Sequence, residues 1–131
     1  MGESLTINHV TEDPSNSEIV LYLIEDGPWP DDGAAWTEVI GRIKRRILVA
    51  ADLVIDGMFA EKFPDSVGKK FRIQVDCPSG TPPEIQELVT SVSDIFANHQ
   101  VYADAIRQSQ FVSALRAVTG AELGRFKIPL Q

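Results

Sequence analysis

The chain has 131 residues, 44% of them hydrophobic and 24% charged, enough for one domain with its own core and unlike a fibre or a disordered tract. Twelve basic against nineteen acidic residues leave a net charge of −7, which excludes non-specific binding to nucleic acid or an anionic membrane, since both need positive charge to displace counterions. A single cysteine, Cys77, excludes an intramolecular disulfide; no signal peptide is visible at the start and no apolar run approaches the ~20 residues of a membrane span, so the expectation is a cytoplasmic protein.

Leu5 to Val10 alternates weakly, and Glu12 to Ser17 is dense in turn residues. Glu18 to Ile24 then reads as a strand apolar on both faces, the pattern of a central strand, and the two segments together predict a hairpin. Pro28-Trp29-Pro30 cannot continue a ladder. Asp31 and Asp32 supply an N-cap acceptor and negative charge for the helix that follows. From Ala34 to about Ala60, Trp36, Ile40, Ile43, Ile47, Ala51, Val54 and Met58 recur at three- and four-residue spacing, with Gly57 as a point where the helix ends or kinks.

Phe63 to Gly68 is a loop, and Lys70 to Cys77 alternates as a half-buried or edge strand, with Phe71, Ile73, Val75 and Cys77 inward. Thr81-Pro-Pro-Glu84 matches a capping box ahead of a second helix whose stripe is Ile85, Leu88, Val89, Val92, Ile95 and Phe96. Val101 to Ala105 fits a short strand or the start of a third helix. Phe111, Ala114, Leu115 and Val118, followed by Gly120, predict a C-terminal helix with a glycine stop. Phe126, Ile128 and Leu130 alternate beside Pro129.

Glu18-Ile-Val-Leu, Pro28-Trp29, Asp56-Gly57, Phe63-Pro64, Gly68-Lys69 and the strand Phe71 to Val75 occur in an order and spacing that resembles a small bacterial α+β domain family of unknown function. The resemblance covers about residues 5 to 98. It departs at Gly27, where the pattern carries arginine, and near Lys44 to Leu48, where it carries an asparagine and a tyrosine. It implies a fold and no catalytic residues.

The chemistry-bearing groups are sparse. Asp52 and Asp56, near Glu61, have the spacing of a helical carboxylate pair, but no histidine or further acid joins them at ligand spacing, so a solvated face is the simpler account. Arg42, Lys44, Arg45 and Arg46 gather a third of the basic residues, and Arg42, Arg45 and Arg46 share a helix side, as expected of a stripe paired with acids such as Glu38, Asp52 or a neighbouring element. Gly68-Lys69 lacks the first glycine and the hydroxyl residue of a phosphate loop. Cys77 stands in the inward phase of its strand, and His9 and His99 are far from it in sequence, so no nucleophile–base pair is indicated. Trp29 and Trp36 flank the acidic turn Asp31-Asp32, an arrangement suited to an interface anchor as well as to core packing.

The expectation is therefore an α+β domain, a small antiparallel sheet in the order ββαβα covered by two helices, with a C-terminal helix. Residues 1–131 form a single domain, with 1–100 as its core and 101–131 as a C-terminal helix or appendage. The expected function is a protein-binding protein of adaptor or immunity type, without catalysis, meeting a basic partner through Trp29, Asp31 and Asp32. No catalytic residue, metal ligand or cofactor is assigned. Two alternatives stand beside it: a homodimeric structural module built on the apolar arc of the long helix and an unpaired strand edge, and a small-ligand or metal-binding protein using Asp52, Asp56 and the basic stripe.

Overall fold

A computed structural model describes residues 7–121. In chain order they form β1 (His9–Asp13), β2 (Glu18–Ile24), α1 (Gly33–Ile55), α2 (Met58–Lys62), a 3-10 turn (Pro64–Ser66), β3 (Lys69–Asp76), α3 (Pro83–Asn98), α4 (Gln100–Gln108) and β4 (Val112–Gly120). The strands make a four-stranded sheet in the order β1-β2-β3-β4. β1 pairs antiparallel with β2, while β2–β3 and β3–β4 are parallel. The architecture is α+β, but two expectations are corrected. The sheet is mixed rather than antiparallel, and the order is ββαβαβ, because helical connections return the chain to start β3 and β4 in the direction of β2.

β2 occupies the interior position its apolar character predicts, and β3, expected at an edge or half-buried, is interior too. Ile19, Leu21 and Leu23 of β2 share a core with Phe71, Ile73 and Val75 of β3, Leu115 and Ala117 of β4, and the helical stripes Ile43, Ile47, Ala51, Val54 and Ile85, Val89, Val92, Phe96. Burial of Ile43, Ile47 and Val54 stabilises the packing of α1 by roughly 1.5–3 kcal/mol each. On the other sheet face Val20, Tyr22, Gln74 and Asp76 are also buried, and Gln74 Nε2 donates to Asp76 Oδ1 (2.9 Å). Gly120 belongs to that contact: a Cβ there would stand 2.3 Å from Gln74 Nε2.

α1 starts where the sequence says. Asp32 is its N-cap, and its Oδ1 accepts from Ala35 N–H (2.8 Å), a bond worth about 1 kcal/mol. The helical pattern read to Ala60 breaks at Asp56-Gly57, where Gly57 turns left-handed (φ 89°) and α2 sets off. Phe111 packs so close that a Cβ on Gly57 would lie 2.6 Å from its ring. Backbone conformation and a close approach both demand glycine at this one position.

The C-terminal helix expected over Phe111 to Val118 is strand β4. Val101 to Ala105 lies in a helix, α4. Thr81 does not cap α3; the cap is Pro82, and Gln86 Nε2 donates to the Thr81 carbonyl (3.3 Å). β1 runs four residues later than the weak alternation suggested, with Glu12 and Asp13 inside it, so the turn narrows to 14–17. The alternating Phe126, Ile128 and Leu130 lie outside the described residues, as does Leu5.

Candidate functional site

The three residues singled out for partner binding fall in one short connection, β2 to α1, at the carboxyl end of β2. Glu25 N–H continues the sheet by donating to Asp76 O (2.9 Å). Asp26 Oδ1 then accepts from Ser79 Oγ (2.8 Å), which ties the loop to the exit of β3. The Gly27–Pro28 peptide is cis. Trp29 is half-buried against the core and stacks on Trp36 of α1, with centroids 5.8 Å apart and planes 9° apart. Such a pair adds roughly 0.5–1.5 kcal/mol beyond its area. Asp31 is exposed. Asp32 is exposed too, but one of its oxygens is committed to the cap of α1. The structure thus gathers all three residues and separates their roles: Trp29 is a held aromatic wall, Asp31 an open charge and Asp32 a structural cap.

The base of the loop is pinned by a residue that sequence reasoning passed over. Glu25 is buried, and its carboxylate accepts from Arg42 Nη1 and Nη2 (3.0 Å each) and from Arg46 Nη1 (2.7 Å). Arg46 Nη1 also donates to the Ile24 carbonyl (3.0 Å), and Nη2 to Asn8 Oδ1. The basic stripe of α1 therefore pairs with a neighbouring element, as expected, through the i, i+4 positions Arg42 and Arg46. The missed signal was a glutamate placed directly after an apolar strand and ahead of two arginines one helical turn apart.

A second charged constellation lies at the other end of β2. Glu18 is buried, and its oxygens accept from Arg116 Nε (2.8 Å), Arg116 Nη2 (3.0 Å) and Arg72 Nη1 (3.3 Å). Arg72 Nη1 also reaches Asp13 Oδ2 (3.3 Å). Arg72 and Arg116 stand opposite one another across β3 and β4, and Glu18 is the counter-charge they share. The hydrogen bonds from Arg116 hold the Glu18 carboxyl below its usual range against the opposing effect of burial. The Arg72 Nε–H is buried without an acceptor among the described residues. Beside this network, Asn16, Glu18, Lys70, Ala114, Leu115 and Arg116 line a hollow of about 390 Å³.

The remaining candidates take ordinary places. Asp52 accepts from Tyr102 Oη (3.4 Å), and partial burial followed by the charge of Asp56 raises its pKa. Asp56 is the C-cap of α1 and Glu61 sits in α2. Among the described residues no group of three or more His, Cys, Asp or Glu could hold a metal ion. Cys77 is fully buried in the core, and burial pushes its thiol pKa up, so the thiolate is disfavoured. The His9 ring packs 5.7 Å from that of Tyr22, and His99 is exposed between α3 and α4. The apolar arc of α1 faces the core, and on β4, at the edge of the sheet among the described residues, Ala117 N–H donates to Ser93 Oγ of α3 (3.1 Å). No helix among the described residues is long and apolar enough to cross a membrane. No family model, curated protein or solved structure matches this chain.

Proposed function

We propose that this is a protein-binding protein of adaptor or immunity type, acting in the cytoplasm without catalysis, and that the β2–α1 loop meets a basic partner. The observation that carries the reading is the held tryptophan: Trp29 is half-buried on Trp36 and flanked by exposed Asp26 and Asp31. Four contacts restrain the loop around it: the Glu25–Arg42/Arg46 cluster, the Asp26–Ser79 hydrogen bond, the Asp32 cap and the indole stack. A surface ordered before binding loses less conformational freedom on association. An indole with a part-exposed face is a frequent hot spot, and acidic groups around it select a basic surface.

The test begins with the tagged protein recovered from its host at moderate salt. The expected result is one stoichiometric basic protein whose affinity falls as salt rises. Trp29→Ala should cost about 2 kcal/mol or more of binding as a hot-spot truncation, and Asp31→Asn a smaller, salt-dependent amount. Far-ultraviolet circular dichroism checks that both variants fold. Repeated recovery of the protein alone, or a partner indifferent to both substitutions, refutes the reading.

A further inference from the structure

We propose that the hollow beside Lys70 and Arg116 binds a small organic monocarboxylate. This site lies at the amino-terminal end of β2, the opposite end from the β2–α1 loop, and stands whether or not that loop binds a protein. Sheet register creates it. Glu18, Lys70 and Ala114 are partners in one row across β2, β3 and β4, and Val20, Arg72 and Arg116 form the next. Ala114 contributes only a methyl group where its neighbours carry long side chains, and about 390 Å³ stays unfilled. The register shifts at the same place: Lys69 pairs with Val112 and Lys70 with Ala114, leaving Ser113 as the extra residue. Bulges of this kind re-aim side chains and recur beside binding sites.

Charge selects the ligand. Lys70, Arg72 and Arg116 meet two carboxylates, Asp13 and Glu18, which are engaged by Arg72 and by both arginines respectively. The Lys70 ammonium makes no ion pair within 4.0 Å among the described residues, although its charge acts on Glu18, so three cations face two carboxylates and the cluster carries one net positive charge. One surplus charge matches one carboxylate; a dianionic phosphate would have to sit beside Glu18 with its second charge uncompensated. The guanidinium of Arg116 spends its Nε edge on Glu18 through Nε and one Nη2 N–H, leaving Nη1 and the second Nη2 N–H, beside the ammonium, to receive a carboxylate. Ala114 contributes its methyl group to the lining, which leaves room for a short alkyl body.

The test titrates hexanoate into the isotope-labelled protein at low salt, followed by amide chemical shifts, with hexanol and inorganic phosphate as comparison probes. Saturable shifts confined to Asn16, Glu18, Lys70, Ala114, Leu115 and Arg116 are expected with hexanoate and not with hexanol. Lys70→Gln should weaken binding about tenfold, the effect of losing one charge-assisted hydrogen bond, with the unfolding midpoint unchanged. No saturable shift, shifts elsewhere, or equal affinity in Lys70→Gln overturns the site. Tighter binding of phosphate at the same residues overturns the assignment to monocarboxylates.

Discussion

Replacing Glu18 with glutamine keeps the volume of the side chain and removes the carboxylate that two facing guanidiniums share. Glu18 accepts three hydrogen bonds from cations, at 2.8, 3.0 and 3.3 Å. Breaking a buried ion pair from one side costs about 3–5 kcal/mol. Arg116 is half exposed and can turn toward water, which lowers the cost, whereas the Arg72 side chain, 11% exposed, cannot. The expected loss is about 2–3 kcal/mol, or a fall of about 1–2 M in the urea midpoint at neutral pH. The pH dependence supplies an independent check. The Glu18 pKa is lowered in the folded protein from an ordinary value of 4.5, so its stabilisation is complete above pH 4.5 and is lost as pH falls through the folded pKa. The gap between wild type and Glu18→Gln should therefore be widest at neutral pH and close on acidification below 4.5. A Glu18→Gln midpoint equal to wild type at neutral pH, or a gap that persists at low pH, refutes the reasoning.

Gly57→Ala should destabilise the fold by about 2–4 kcal/mol in urea unfolding, since it combines a left-handed alanine with displacement of the Phe111 ring; an unchanged midpoint would show that neither constraint matters. The Cys77 thiol should react with a colourimetric disulfide reagent only as fast as the protein unfolds, because it is fully buried and its pKa is raised first by that burial; rapid labelling of the native protein would contradict its place in the core. The Asp52 pKa is raised by burial and then by Asp56, so the ionised carboxylate disfavours folding at neutral pH. Asp52→Asn should slightly raise the unfolding midpoint there, and the gain should vanish below pH 3.8, where the carboxyl is protonated in folded and unfolded chains alike. A loss of stability at neutral pH would mean that the Tyr102 hydrogen bond outweighs both effects.

The elements with one clean period were legible in the sequence. α1 and α3 declare themselves by apolar spacing, β2 by a run apolar on both faces, and Asp32 by its place ahead of the helix. β4 did not, for a reason visible in its register. Val112, Leu115 and Ala117 are its buried residues, and the bulge at Ser113 opens a three-residue step between the first two. That step imitates a helix, so a two-residue repeat was hidden by a single inserted residue. Parallel pairing of β2, β3 and β4 is a relation between distant segments that no local pattern encodes. The candidate loop was legible through Pro28, Trp29 and the two aspartates, but the groups that hold it were not. Glu25 and Arg46 are twenty-one residues apart, Glu18 and Arg116 ninety-eight, and in one dimension each is an ordinary charged residue.

The Glu18–Arg116 pair also imposes an order on synthesis. β1, β2 and β3 are complete by Asp76, but β4 arrives only with Val112–Gly120, after two helices have been made. At roughly 5–20 residues per second, β3 stays an open edge and Glu18 lacks its bidentate arginine for about 2–9 s of translation. Over that interval Glu18 has Arg72 as its arginine but not Arg116, and β3 is an unclosed strand at the rim. A ribosome stalled between these points would display both, while the finished chain closes them with one strand, β4.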